Sequence, residues 1–224
     1  MKKVDIAVID YGMGNLRSVS KAIEHVAPNK NVVVTSDAAI INQAERVVFP
    51  GQGAMPDCMR ELDLRGLRTA VIDATKPKPF LGICIGLQML FERSEEGDAA
   101  GLGLFAGHVK KFAAADMHDD AGQKLKVPHM GWNQVYQVNQ HQDNQHPDKP
   151  HALWADIADG ARFYYVHSYY VVPLQANIHA GHSHYPTAFT SAIAKDNLFA
   201  VQFHPEKSAQ AGLQLLRNFV HWNP

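Results

Sequence analysis

The 224-residue chain has few cysteines, almost no net charge and no long hydrophobic run. Its two cysteines, Cys58 and Cys84, are too few for a disulfide framework and lack the paired Cys/His spacing of zinc sites. The formal charge of -1 gives no basic excess for nucleic acid or anionic lipid. The uncharged stretch around Cys84, Pro79 to Phe91, is shorter than the ~20 residues of a membrane-spanning helix. We therefore expect a cytoplasmic protein without a metal or cofactor, and without a nucleic-acid or membrane partner.

Histidine, by contrast, is abundant, with thirteen copies. Several stand in the polar stretches 141–146 and 179–184, where solvated loops are the simpler interpretation. Metal binding by the second stretch is a weak alternative, because its spacing matches no familiar ligand set.

The first half of the chain alternates β-branched runs with helical spacing. This alternation predicts an α/β fold with a central, mostly parallel sheet flanked by helices. The predicted strands of this half are Val4 to Asp10, Asn31 to Thr35, Arg46 to Phe49 and Pro79 to Cys84. The predicted helices run from Leu16 to just before Pro28, once or twice within Pro56 to Ala74, and from Leu87 to Arg93.

Beyond Gly97 the pattern changes to short alternating segments, which predict an antiparallel extension of the sheet. Its strands are expected at Gly107 to Phe112 and Leu125 to Val138, with later strands at Arg162 to His167, Phe189 to Ala194 and Phe199 to Phe203. An amphipathic helix carrying Leu213, Leu216, Phe219 and Val220 closes the chain. We expect one domain over residues 1–224, with the polar segment 139–150 as a surface loop excursion.

One cysteine stands on a strand-to-helix turn, within Gly82-Ile-Cys-Ile-Gly86. This layout is that of a nucleophile elbow, in which small neighbours allow strained backbone angles at the nucleophile. The start of the helix favours a thiolate at Cys84, and the N–H of Ile85 would face an oxyanion formed beside the sulfur. A simple Gly-rich turn is the alternative.

A histidine and a glutamate follow a later strand, in Phe203-His-Pro-Glu206. Residues two apart in extended chain project to the same side, so Glu206 can orient the imidazole of His204 while the other ring nitrogen faces the cysteine. A strand end with a solvated glutamate is the alternative. The turn Pro50-Gly-Gln-Gly53 adds a candidate second oxyanion donor through the backbone of Gly51, Gln52 and Gly53.

In order and spacing these three segments resemble the class I, triad-type glutamine amidotransferases, a flavodoxin-like α/β family. Five further segments resemble one branch of it, the glutaminase subunits of imidazole glycerol phosphate synthases of histidine biosynthesis. They are Asp10 to Asn15, Phe91 to Gly97, Pro128 to Asn133, Val166 to Tyr169 and Phe203 to Ser208. The resemblance runs from Asp5 to about Phe219, which implies a single glutamine amidotransferase type 1 domain.

The resemblance implies a Cys84-His204-Glu206 triad that hydrolyses glutamine to glutamate and ammonia. It implies an oxyanion hole built from the backbone near Gly51 to Gly53 and at Ile85. It further implies that four residues bind glutamine: Gln88, Glu96, Ser168 and Tyr169.

The family pairs this subunit with a (βα)8-barrel cyclase in a heterodimeric lyase complex. The cyclase uses the ammonia to make imidazole glycerol phosphate and an aminoimidazole carboxamide ribonucleotide. Asn15, Trp132, Asn133 and Lys207 match residues at the subunit contact. The alternatives are the glutaminase of another class I amidotransferase and a non-catalytic interaction subunit.

Overall fold

The computed structural model describes residues 3–113, 117–118, 122–139 and 150–224. The predicted surface loop therefore lies, for residues 140–149, outside the described residues. Its two flanks meet, because Asn139 and Pro150 form an isolated antiparallel bridge.

Five parallel strands form the centre of the sheet, in the order β2-β1-β3-β4-β13. Most of their residues are apolar, and β1, β4 and β13 are buried along their whole length, as expected for strands covered on both faces. Their bounds are Ile6–Ile9 (β1), Val32–Thr35 (β2), Arg46–Gly51 (β3), Phe80–Cys84 (β4) and Leu198–Val201 (β13).

An antiparallel extension continues from β13 through β12, β10 and β7. Beyond it, β5 runs parallel to β7 and pairs with the short β6, while β11 joins β12 to the β8–β9 hairpin. The bounds are Phe91–Ser94 (β5), Ala99–Ala100 (β6), Phe105–Lys111 (β7), His129–Gln137 (β8), Ala161–His167 (β9), Tyr169–Pro173 (β10), His179–His184 (β11) and Ala188–Lys195 (β12).

Helices cover the central strands, with α1 packed against α6 and α2 against α4. The Asn15 side chain caps α1, whose buried residues Val19, Ile23 and Val26 recur at helical spacing. Within the described ranges, no helix combines the length and apolar content needed to cross a membrane. The bounds are Leu16–Val26 (α1), Ala38–Gln43 (α2), Met55–Leu64 (α3), Arg68–Ala74 (α4), Ile85–Gln88 (α5) and Ala209–His221 (α6).

The predicted fold class is confirmed, including the antiparallel extension, but two local predictions were wrong. The helix expected from Leu87 to Arg93 ends at Gln88 after a single turn, and β5 follows. Phe91 pairs with Phe105, so sheet pairing and burial override a short apolar run that suits either structure. The polar stretch 179–184 is also a strand, because Ala180, Gly181 and Ser183 are buried in the sheet.

Candidate active site

The ends of three neighbouring parallel strands bring the three predicted site segments together. Gly51 at the end of β3 is in register with Cys84 at the end of β4, and Ile83 is in register with Val201 of β13. Since β13 leads directly to His204, the glycine loop, the cysteine and the histidine meet at one sheet edge. This edge, at the carboxyl ends of parallel strands, is where open α/β sheets bind ligands.

Cys84 occupies a strained backbone conformation, with φ 56° and ψ -111°. Its flanking glycines are required by space. A Cβ at Gly86 would lie 1.9 Å from the Phe49 carbonyl oxygen, and one at Gly82 would lie 2.9 Å from the Ala200 Cβ. The strand, the turn and the following helix can therefore approach closely only with glycine at both positions, which is the geometry of a nucleophile elbow.

His204 and Glu206 form a buried pair in which Nδ1 of the imidazole lies 2.9 Å from Oε1 of the carboxylate. Nε2 of His204 has no hydrogen-bond partner among the described residues. Burial works against the charged imidazolium, but the Cys84 thiolate and the Glu206 carboxylate outweigh it and raise the pKa of His204 to about 10. The imidazole is therefore held as a proton donor beside the cysteine.

Gln202 belongs to the site although the sequence did not single it out. It is fully buried, its Nε2 donates to Cys84 Sγ at 3.8 Å, and its Oε1 accepts from Gln88 Nε2 at 3.0 Å. The available signal was a lone amide directly after the apolar strand Leu198–Val201 and two residues before His204.

A cavity of about 210 Å³ opens in front of Cys84. All four residues predicted to bind glutamine line it, together with the cysteine, the histidine and part of the glycine loop. Three lining residues were not predicted: Pro128, Val166 and His167. The complete lining is Gln52, Gly53, Cys84, Ile85, Gln88, Glu96, Pro128, Val166, His167, Ser168, Tyr169 and His204.

Gln88 and Glu96 bring acceptor oxygens to this cavity. Nε2 of Gln88 donates to the Tyr169 carbonyl at 3.0 Å, while its buried Oε1 has no partner among the described residues. Oε2 of Glu96 accepts from the backbone N–H of Met55 at 2.8 Å, which ties the carboxylate to the start of α3. Free acceptor atoms and a carboxylate suit a ligand that carries an ammonium or amide group.

The glycine loop lies directly against the nucleophile turn. A Cβ at Gly51 would lie 2.2 Å from the Tyr11 hydroxyl and 3.0 Å from the Ile85 Cβ, and Gly53 has φ +114°. The side chain of Gln52 is exposed, whereas its carbonyl accepts from Cys58 Sγ at 3.7 Å. Burial raises the pKa of Cys58 to about 11, so this second cysteine stays a thiol.

The residues expected at a subunit contact divide into three locations. Trp132 and Lys207 both lie near Tyr164, with 6.0 Å between the Trp132 and Tyr164 ring centroids and 5.9 Å from Lys207 Nζ to the Tyr164 ring. Asn15 caps α1 and borders a small cavity shared with the triad pair. Asn133 is half-buried, and its Nδ2 donates to the His184 carbonyl at 3.0 Å.

Among the residues that the structure describes, no group of three or more His, Cys, Asp or Glu side chains could hold a metal ion.

Comparison with known proteins identifies a family. The model of the family described as glutamine amidotransferase class-I matches residues 7–222. The chain is 64% identical over 219 residues to the imidazole glycerol phosphate synthase subunit HisH of Dechloromonas aromatica, covering 98% of this chain and 97% of that protein. It is 63% identical to the protein of the same name from Thiobacillus denitrificans, covering 99% and 92% of the two chains.

Solved structures resemble the fold at low sequence identity. The structure of PurLQS from Thermotoga maritima aligns with a TM-score of 0.64 at 16% identity, covering 98% of both chains. A glutamine amidotransferase from the same organism aligns with a TM-score of 0.58 at 16% identity, covering 94% of this chain and 80% of that one. These likenesses concern the fold alone.

Proposed function

The chain belongs to the class I glutamine amidotransferase family, and from this premise we propose that it is the glutaminase subunit of an imidazole glycerol phosphate synthase. It hydrolyses glutamine and supplies the ammonia for histidine biosynthesis. The relatives named above support this function over nearly the whole chain. One observation carries it: the strained Cys84 and His204 line one cavity, and the buried Glu206 carboxylate holds the imidazole from behind.

In the first half of the reaction, the Cys84 thiolate attacks the amide carbon of glutamine. The Sγ–C bond forms while the carbonyl electron pair moves onto oxygen, and backbone N–H groups near Gly51 to Gly53 and at Ile85 stabilise that oxyanion. When the tetrahedral intermediate collapses, the C–N bond breaks. The leaving nitrogen takes the Nε2 proton of His204 and departs as ammonia, which leaves a thioester.

In the second half, water attacks the thioester carbon and gives its proton to Nε2 of His204. The C–S bond then breaks, which restores the thiolate beside the imidazolium and releases the product acid, whose proton passes to solvent to give glutamate. Glu206 keeps the Nδ1 proton in place through both halves, so that Nε2 is the nitrogen that exchanges protons.

Substrate orientation follows from the acceptors of the cavity. Gln88 Oε1 and the Glu96 carboxylate receive the α-ammonium end of glutamine, and the backbone of Ser168 and Tyr169 receives its carboxylate. This placement is supported by the lining of the cavity and by the buried Gln88 Oε1, which has no partner among the described residues.

A synthase subunit works in a complex, and the partner uses the ammonia. We propose a heterodimer with a (βα)8-barrel cyclase, which contacts the surface formed by the exposed Trp132 and the half-buried Lys207. Trp132 is 50% exposed, and a large exposed aromatic is typical of an interface anchor. Residues 1–224 acting as one domain and a cytoplasmic location remain predictions.

The test uses the complex co-purified with its cyclase subunit and compares glutamine with ammonium as the nitrogen source. Cys84→Ala should abolish glutamine-dependent synthesis and leave ammonia-dependent synthesis intact. Cys58→Ala is the matched control, because it removes the other buried thiol. Retained glutamine-dependent synthesis in Cys84→Ala would overturn the nucleophile, and glutaminase activity without any cyclase product would favour another amidotransferase.

A further inference from the structure

A continuous chain of hydrogen bonds leads from β8 to the nucleophile. Nδ2 of Asn133 lies 3.4 Å from Nε2 of His129, and Nδ1 of His129 lies 3.1 Å from Nε2 of His167. Nδ1 of His167 then lies 2.8 Å from the Tyr169 carbonyl oxygen. The same carbonyl accepts from Gln88, which also donates to Gln202, and Gln202 donates to Cys84.

The Tyr169 carbonyl determines which atom donates and which accepts in each of these hydrogen bonds. A carbonyl oxygen only accepts, so His167 carries its proton on Nδ1 and, when neutral, accepts at Nε2. His129 must therefore donate from Nδ1 and accept at Nε2 from the Asn133 amide. The orientation of this amide agrees, because its Nδ2 also donates to the His184 carbonyl while its Oδ1 accepts from Gln134 N.

Burial keeps both imidazoles neutral, as this order of donors requires. His129 is 4% exposed and His167 is 6% exposed. Burial lowers the pKa of His129 to about 4, and burial, which outweighs the opposing hydrogen bond to the Tyr169 carbonyl, lowers the pKa of His167 to about 3. A second proton on His129 would place an N–H at Nε2 against the N–H of the Asn133 amide and break this chain of hydrogen bonds.

We propose that His129 and His167 are positioning residues for glutamine hydrolysis, acting through the Tyr169 carbonyl and the Gln88–Gln202 pair on Cys84. The inference rests on the proposed function and deepens it. It also gives Asn133 an internal role at the start of this chain of hydrogen bonds, whereas the sequence predicts a subunit contact there.

The chain of hydrogen bonds ends on groups that take part in the reaction. The Tyr169 carbonyl belongs to the segment that faces the cavity beside Ser168, and Gln202 contacts the attacking sulfur itself. The Tyr169 carbonyl accepts from both His167 and Gln88, and Gln88 also donates to Gln202, which leaves these groups little freedom. A misplacement of about 1 Å in such a site can reduce the rate about 100-fold.

Two substitutions at His129 separate hydrogen bonding from packing. The His129 ring stacks on Tyr185 at 3.9 Å and on Tyr165 at 4.9 Å between ring centroids. His129→Phe keeps a stacking ring and removes both ring nitrogens. His129→Asn removes the ring but places an amide nitrogen where Nδ1 stood, so donation to His167 can continue.

The measurements are kcat and KM for glutamine in the purified complex, ammonia-dependent synthesis by the same complex, and alkylation of Cys84 by a thiol-reactive glutamine analogue. We expect His129→Phe to lower kcat/KM and the alkylation rate by about 10- to 100-fold, with ammonia-dependent synthesis unchanged. We expect His129→Asn to remain close to the unsubstituted complex. His167→Phe and His167→Asn repeat the comparison at the second imidazole.

The opposite pattern, with Phe active and Asn inactive, would show that the rings act by packing and would overturn the proposal. Failure of both Phe variants to fold would also count against it, because the pair would then be structural. His151→Phe is the control. This half-buried ring packs against Phe199 with 4.8 Å between ring centroids and takes no part in the chain of hydrogen bonds, so the substitution should change stability but not kcat/KM. If the unsubstituted complex releases no glutamate, the proposed function itself fails.

Discussion

Nδ1 of His204 lies 2.9 Å from Oε1 of Glu206, and the two side chains are only 5% and 1% exposed. A carboxylate at this depth fixes which ring nitrogen carries the permanent proton and stabilises the imidazolium. Since Nε2 has no other partner among the described residues, it is the atom left to exchange protons with the substrate. The pair therefore sets both the direction and the charge of the general acid.

Glu206→Gln tests that role with almost no change of volume. The amide cannot stabilise the imidazolium, so we expect kcat for glutamine hydrolysis to fall by about 10²- to 10⁴-fold, as for other disrupted triads. Ammonia-dependent synthesis by the complex should be unaffected, which serves as the control for folding and assembly. An unchanged kcat would mean that His204 is oriented by some other group.

Cys84→Ser tests the electrostatic coupling between the cysteine and the histidine. The thiolate charge contributes to raising the pKa of His204 to about 10, so a neutral serine hydroxyl should lower it. The imidazole Cε1–H resonance of His204, followed by NMR against pH, reports the change. Cys58→Ser should leave that titration unaltered, and an equal midpoint in Cys84→Ser would contradict the coupling.

Local sequence was sufficient to predict the centre of this site. The glycines around Cys84 indicate a tight turn, and the two-residue spacing of His204 and Glu206 indicates that their side chains meet; both features lie within a few residues of sequence. The burial of Gln202 and its contact with Cys84 could not be predicted in this way, because they depend on which strands are neighbours in the sheet. The same holds for His129 and His167, whose contact joins the two strands of the β8–β9 hairpin across a separation of 38 residues.

The helix predicted from Leu87 to Arg93 shows a second case in which sequence alone is not sufficient. From Leu87 onward, an apolar run of this length suits either a helix or a buried strand. The pairing of Phe91 with Phe105 decides between them, and it depends on the position of β7 in the finished sheet. The conformation of a short apolar segment near the site therefore depends on tertiary burial, whereas the conformation of a glycine turn depends on its own residues.

Gly86→Ala tests the close packing behind the nucleophile. The added methyl would overlap the Phe49 carbonyl, and overpacking of this kind costs about 1–3 kcal/mol or more. We expect a lower midpoint in urea together with lost glutaminase activity. Gly66→Ala is a matched control with open space around its Cβ and φ +66°, so it should cost only the backbone strain of about 1 kcal/mol and keep activity. Equal losses in both variants would contradict the role of the Phe49 contact.

The buried histidines predict a specific dependence of stability on acid. Burial lowers the pKa of His129 and of His151 to about 4 and that of His167 to about 3, whereas in the unfolded chain each titrates near 6.5. Between these values the unfolded chain binds more protons, so the free energy of unfolding falls as the pH drops below 6.5. Each histidine contributes a slope of about 1.4 kcal/mol per pH unit.

Urea unfolding from pH 7 to pH 4.5 measures this slope. His151→Phe should reduce the slope in proportion to the one histidine it removes, because phenylalanine keeps a ring beside Phe199 and Trp222 but binds no proton. His221→Gln, which removes an exposed imidazole on α6, serves as the surface control. If His151→Phe and the unsubstituted chain lose stability in parallel, His151 does not resist protonation in the folded state.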